Sequence, residues 1–277
     1  MLRVFGRKPT AIVVAVHYHH VTAEDRLSFA RQMDHLVRWT RPISTNLGEH
    51  MGAASHYTIV TADDGWKSFL DNAIPELARR GIPVTIFVIS HRLGESIDGI
   101  SSDRIISEIE LRNLANENVT IGSHSATHAV MTSMPEPDAF YELVESRERL
   151  SSIIGSPVRI FCFPYGAFSL ELAELARTAG YDHVFTTMPS LVEPSDFMIG
   201  RVPVDPSDWR LEFHLKIMGA YRWTCGWIFL KRKLAGIIRG EARPKHQMMR
   251  EPVAPNAPEL HIREVQRVQE TTEKDLN

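Results

Sequence analysis

Cysteine is nearly absent: the 277 residues hold two, Cys162 and Cys225, with no close pair. That excludes a zinc ribbon and a disulfide scaffold, and it is the usage of a chain from a reducing compartment. No G-x-G-x-x-G turn follows the first apolar run and no G-x-x-x-x-G-K-[ST] loop occurs anywhere, which disfavours nucleotide-binding versions of a doubly wound sheet. Charge of one sign is lacking as well. With 31 Lys plus Arg against 34 Asp plus Glu, the net charge of -3 gives no global reason to expect a nucleic-acid partner. Long apolar runs are missing: Ala11 to Val16 is too short for the core of a signal peptide, and no small-residue cleavage site follows it. The expectation is a cytoplasmic chain without an export signal or a transmembrane segment. Sixteen Gly and sixteen Pro do not gather into a linker, and 43% hydrophobic residues are enough for a sizeable core.

What is present is alternation. Short β-branched runs at Ala11 to Val16, Tyr57 to Thr61, Val84 to Ile89, Val119 to Ile121, Val158 to Phe163, His183 to Thr187 and Ile199 to Val204 read as strands. Helical periodicity occupies Glu24 to Trp39, Lys67 to Arg80, Asp103 to Glu117, Pro137 to Ile154 and Leu170 to Ala179. Gly81, Gly155 and Gly180 fall where helices should stop, and Pro83 and Pro157 forbid continuation. Repeated βα units of this kind predict an α/β protein, a distorted (β/α) barrel of about seven parallel strands.

After Trp209 the character changes. Ten Lys and Arg against two Glu between Arg210 and Arg250 leave a surplus of eight positive charges, interleaved with Tyr221, Trp223, Trp227, Ile228, Phe229 and Leu230. Residues 1–209 are therefore expected to form the barrel, 210–250 a basic amphipathic helical extension, and 251–277 a disordered tail. The 210–240 stretch suits peripheral membrane contact at the inner face, its apolar runs being too short to span; a terminal helix packed on the barrel is the equal alternative.

Three strand ends carry chemistry. Thr61-Ala62-Asp63-Asp64-Gly65 puts two carboxylates side by side at the C-terminal end of a strand, where parallel α/β folds place their reacting groups. Adjacent carboxylates repel unless a cation compensates, although an Asp that only caps the following helix is the simpler reading. Gly122-Ser123-His124-Ser125-Ala126-Thr127-His128 sets two imidazoles four apart, the spacing that one face of a helical turn offers to a divalent ion. An oxygen ligand is still needed, and Asp64 is of the right type. The H-E-x-x-H metalloprotease pattern is absent. Phe161-Cys162-Phe163-Pro164-Tyr165-Gly166 shapes a loop whose N–H groups can face the site, with Tyr165 as a wall.

In this order and spacing the three motifs resemble the polysaccharide deacetylase superfamily, related to nodulation-type chitooligosaccharide deacetylases and called family four of the carbohydrate esterases. The resemblance covers about residues 11 to 205. Within it the chain is similar to a circularly rearranged branch, like the biofilm poly-N-acetylglucosamine deacetylases, in which a Tyr-His dipeptide follows the first strand. Here that is Tyr18-His19 in Val16-His17-Tyr18-His19-His20. By period two His17 should face the same side as His19, and His20 should point away.

The resemblance implies one divalent metal ion, zinc first with cobalt or nickel as alternatives, held by Asp64, His124 and His128. It further implies Asp63 as base, His19 as acid, a backbone N–H near Tyr165 for the oxyanion, and an N-acetylated glycan substrate, either lipid-linked or nascent exopolysaccharide. One departure stands out. Many family members pair the base with an Arg from the third motif, where this chain reads Phe161-Cys162-Phe163. Arg201 on the last strand is the candidate replacement, an ordinary barrel-end salt bridge being the alternative. Cys162 reads as a small core residue. Hydrolysis of a non-sugar amide and a catalytically silent glycan-binding scaffold remain the competing functions.

Overall fold

The computed structural model describes residues 11–45, 56–96, 103–114, 118–193 and 195–221. Eight strands appear in chain order: β1 (Ile12–Tyr18), β2 (Arg41–Pro42), β3 (His56–Ala62), β4 (Val84–Val88), β5 (Val119–Ser123), β6 (Ile160–Cys162), β7 (His183–Thr186) and β8 (Met198–Pro203). All pair in parallel, and β1 bonds to both β8 and β3, so seven strands close into a barrel. The extra strand β2 pairs with Tyr57 and Thr58 in the first half of β3, while β4 takes the second half from Val60 to Ala62. Two residues in length and containing Pro42, it carries no periodicity that sequence reading can detect.

Period-two alternation sorts the side chains. Val14, Val16, Tyr18, Val60, Ala62, Ile86, Val88, Phe161 and Phe163 join the core between strands and helices. Val13, Ala15, Tyr57, Ile59, Phe87, Ile160, Cys162, Phe185 and Ile199 form a second core inside the barrel. Continuing the inner rows upward leads to His17, Thr61, Asp63 and Arg201, all buried. The polar groups thus stand on top of an apolar plug.

The helices cover the outside: α1 (Arg26–Trp39), α2 (Lys67–Asn72), α3 (Ile74–Arg79), α4 (Glu108–Leu114), α5 (Glu136–Ile154), α6 (Leu170–Thr178) and α7 (Arg210–Ile217). In α1 the buried Phe29, Met33 and Leu36 recur at helical spacing, and α5 ends on Gly155 at φ 71°, a left-handed cap that glycine adopts without strain.

Several boundaries differ from expectation, each for a physical reason. The helix predicted over Lys67 to Arg80 breaks at Ala73 into α2 and α3, because Pro75 cannot donate an N–H and must sit in the first turn of a new helix. The one predicted from Asp103 to Glu117 begins only with α4, and its expected last residues, 115–117, lie outside those described. Ser107 and Glu110 form a reciprocal capping box, with Ser107 N to Glu110 Oε2 at 2.8 Å and Glu110 N to Ser107 Oγ at 3.3 Å, and so start the helix five residues later. The strand predicted over Val158 to Phe163 contracts to β6, whereas β1 runs two residues past Val16 and takes in His17 and Tyr18. Of the basic stretch, α7 packs Phe213 and Ile217 into the core, and residues 222–277, with the expected tail, lie outside those described.

Gly200 is required by close approach: a Cβ there would collide with the carbonyl oxygen of Met188. Gly200→Ala is expected to lower the chemical-denaturation stability by about 1–3 kcal/mol, the usual penalty for overpacking. An unchanged midpoint would show that β7 and β8 are not held this tightly.

Candidate active site

The C-terminal ends of β1, β3, β5, β6 and β8 converge on one group of side chains. Its base is Arg201, fully buried inside the barrel. Nη1 donates to Asp63 Oδ1 at 2.6 Å and to Thr61 Oγ1 at 2.9 Å, Nη2 to Asp63 Oδ2 at 2.8 Å and to Cys162 Sγ at 2.8 Å, and Nε to the Thr186 carbonyl at 3.3 Å. All five N–H donors are satisfied, and the bidentate pair fixes the carboxylate plane. The guanidinium also lies 5.3 Å from the ring centre of Phe87 and 5.9 Å from that of Phe185. Burial alone would raise the Asp63 carboxyl, but the charge and hydrogen bonds of Arg201 hold it well below the usual carboxylate range. Burial pushes the Cys162 thiol up, so it stays protonated against Arg201. It is a small interior side chain.

Asp64 is turned the other way by backbone geometry. Its φ of 68° is followed by Gly65 at 81°, a double left-handed step that carries the chain over the strand end. Ser125 (φ 65°), His128 (φ 65°) and Tyr165 (φ 58°) complete the set of non-glycine residues with positive φ among those described. All four lie in the loops of this site, the clustering expected where backbone strain is held by surrounding structure. Asp64 does not cap α2, and neither does Asp63. The N–H of Ser68 in that helix is taken by Asp103, at 3.2 and 3.3 Å. Instead Asp64 Oδ2 accepts from Trp66 Nε1 at 2.9 Å, which leaves Oδ1 facing His124 Nε2 at 3.4 Å and His128 Nε2 at 3.3 Å.

The two histidines do not share a helical turn, contrary to expectation. They stand at either end of an irregular loop whose left-handed residues Ser125 and His128 fold it back on itself, bringing the rings to 4.9 Å between centres. The loop is pinned from three directions: His124 N to the Val88 carbonyl at 2.9 Å, His128 N to Ser125 Oγ at 2.9 Å, and Thr127 N and Oγ1 to the Glu142 carboxylate at 2.9 and 2.8 Å. Glu142, buried on α5, is a supporting residue that sequence reading missed; a carboxylate on the buried face of an amphipathic helix was its one signal.

Asp64 Oδ1 and the two Nε2 atoms make an O,N,N donor set. Two ligands each about 2.1 Å from a tetrahedral ion lie roughly 3.4 Å apart, and the carboxylate-to-imidazole separations are 3.4 and 3.3 Å. His124 Nδ1 is 2.8 Å from the Cys162 carbonyl, so it carries the proton and Nε2 keeps its lone pair toward Asp64. Burial lowers His124 to about 4, so the ring is neutral near pH 7, as a ligand must be. The donor set fits a divalent ion of the zinc type.

Beside it stand His17, His19 and Asp63, each offering one donor atom within 4.8 Å of the others. His19 is exposed and packs edge-on to His17, with ring centres 5.4 Å apart. His17 is buried and neither ring nitrogen has a hydrogen-bond partner among the described residues; Nδ1 stands 3.7 Å from Asp63 Oδ2. Burial, and then the charge of Arg201, lower His17 to about 3. His20 turns aside: its ring lies 4.2 Å from that of Trp66, and Nδ1 is 3.2 Å from Asp103 Oδ2. Tyr165 lies across the outer edge, 59% exposed, its ring centre 4.5 Å from that of His128. His17, His19, Asp63, Asp64, His124, His128, Tyr165 and Arg201 are therefore in one place, with His19 and Tyr165 open to solvent and His20 turned aside.

Residues 52–184, just under half of the chain, match the polysaccharide deacetylase family. β1, with His17 and His19, and β8, with Arg201, flank the matched stretch and pair with each other, Ala15 opposite Arg201. A curated relative is YxkH of Bacillus subtilis (strain 168), 24% identical over 150 residues, which are 53% of this chain and 51% of YxkH. The match thus spans about half the length of that relative. Among solved structures, IcaB from Ammonifex degensii has a TM-score of 0.65 at 25% identity, covering 77% of this chain and 97% of that one. The Streptococcus pyogenes deacetylase PplD, solved in complex with acetate, has a TM-score of 0.63 at 14% identity, covers 76% and 99% of the two chains, and shares the fold.

Arg201→Met is expected to cost about 3–5 kcal/mol, because it strands the Asp63 charge inside the barrel. Arg201→Met combined with Asp63→Asn should recover part of that loss, since no net charge then remains unpaired. Additive losses in denaturant titrations of the two single variants and the double variant would show that the pair is not coupled.

Proposed function

We propose that the chain is a metal-dependent carbohydrate de-N-acetylase, a hydrolase that removes acetyl groups from an amino-sugar polymer made for the cell surface or as exopolysaccharide. The observation that carries this reading is the juxtaposition of two carboxylates with different partners. Asp64 faces two imidazoles at ligand spacing, while Asp63, one residue earlier, is locked onto Arg201. The family match over residues 52–184 and the likeness to IcaB support a glycan amide as the bond attacked.

Asp64, His124 and His128 would hold the ion, which when bound supplies Lewis acidity and lowers the pKa of a coordinated water toward ~7. Asp63 accepts the proton of the attacking water on a lone pair that Arg201 leaves free, each carboxylate oxygen having two. The departing sugar amine needs a proton, so the one that Asp63 takes must be passed on. His17 and His19, each with a donor atom within 4.8 Å, stand on that route, and the exposed His19 delivers the proton to the departing sugar amine. Arg201 positions Asp63 from the end of the barrel that the third motif leaves without an arginine. Tyr165 walls the groove, and of the two amides that adjoin it the Tyr165 N–H is the donor for the tetrahedral oxyanion, since Gly166 N donates to the Phe163 carbonyl at 3.0 Å. Products are acetate and the free amine.

The test is metal content by elemental analysis together with acetate release from N-acetylglucosamine oligomers. Wild type should bind about one zinc-type ion per chain and release acetate. His124→Ala should lose the ion and the activity; Asp63→Asn should keep the ion and lose at least roughly a hundredfold in rate. Equal activity in Asp63→Asn would remove it as the base, and a chain that takes up no ion would overturn the reading.

A further inference from the structure

Away from the barrel mouth, α1 and α7 enclose a cleft of about 420 Å3 lined by residues including Arg31, His35, Arg38, Arg210 and Phe213. Its charge balance is unusual. The two acids in its wall are already matched by cations rooted elsewhere: Asp34 accepts from Arg80 Nε at 2.7 Å, and Asp208 from Lys216 Nζ at 2.7 Å. Arg31, Arg38 and Arg210 are exposed and take part in no ion pair among the described residues, so three guanidinium charges face the cleft uncompensated. His35 reports the sign of the field, being held below its ordinary value first by burial and then by His214, Arg210 and Arg38.

Exposed apolar side chains lie on the same two helices. Trp209 (82% exposed), Leu211 and Leu215 project from the start and body of α7, and Val37 and Trp39 from the end of α1. The Trp39 ring lies 4.9 Å from that of His214, with the Arg38 guanidinium 5.8 Å from its centre. Guanidinium groups alone would suit a dissolved anion. Exposed indole and leucine around them suit the boundary between lipid headgroups and acyl chains, where such side chains bury their apolar bodies while the cations meet phosphate. In sequence the chain continues past Tyr221 with the same mixture, Arg222, Trp223, Trp227, Ile228, Phe229, Lys231, Arg232 and Lys233.

We propose that the α1–α7 face docks on an anionic phospholipid bilayer, with lipid phosphates taken into the arginine cleft and Trp209, Leu211 and Leu215 entering the headgroup region. The docking is independent of the acetate chemistry, so acetate release from a soluble oligomer serves as a control for folding. The full chain is cosedimented with vesicles of phosphatidylcholine alone and of phosphatidylcholine mixed with phosphatidylglycerol. Wild type should partition onto the mixed vesicles and release from them in high salt. Arg31→Glu/Arg38→Glu/Arg210→Glu should weaken that partitioning by on the order of a hundredfold, and Trp209→Ser/Leu211→Ser by about tenfold, with acetate release unchanged in both. Mixed-vesicle binding equal to wild type in both variants would overturn the proposal. So would a wild type that ignores vesicles but binds inorganic phosphate or a soluble anionic polysaccharide through the same arginines, since the cleft would then be a site for dissolved anions.

Discussion

The ion pair between Arg201 and Asp63 is the constraint around which the site is arranged. A charge at that depth is tolerated only when its partner and its remaining donors are all matched, and here Thr61, Cys162 and the Thr186 carbonyl take what Asp63 does not. Four strands, β3, β6, β7 and β8, are thereby tied at the same level of the barrel. Loss of any partner would leave a buried polar group unpaired, so the pair sets strand register at the active end as well as the orientation of Asp63.

From that fixed carboxylate the rest follows by short covalent steps. Asp64 is the next residue, and the left-handed turn at Asp64 and Gly65 sends its side chain away from Arg201 toward the histidine loop. Two neighbouring carboxylates thus acquire separate surroundings, one a guanidinium and the other a pair of imidazoles, and Arg201 compensates the charge of Asp63. The histidine loop is positioned by the continuation of the β4–β5 ladder and by Glu142, so the donor set is assembled from two loops, one after β3 and one after β5.

Much of this was legible in the chain itself. Alternation of β-branched runs with helical periodicity marked all seven barrel strands, because burial on both faces of a parallel sheet demands continuous apolar residues whatever the tertiary detail. Helix ends were less legible. Pro75 inside α2–α3 and the Ser107–Glu110 capping box are local signals that were present in the sequence, whereas the capping of α2 by Asp103 is a contact 35 residues away and has no local signature. The His124–His128 spacing suggested a helical turn, and the loop reached the same convergence by another route, since two left-handed residues also reverse a chain.

By itself, then, the sequence determined the barrel, the strand ends that carry the motifs, and the residue types available there, since these depend on periodicity and local chemistry. Tertiary structure alone decided which arginine holds Asp63, why Asp64 faces the histidines, that His17 is buried without a hydrogen-bond partner among the described residues, and that Arg31, Arg38 and Arg210 share one cleft. Those facts depend on closing the sheet between β1, β3 and β8 and on packing α7 against α1. Residues more than a hundred positions apart meet only once the barrel is closed, and no local pattern encodes their distance.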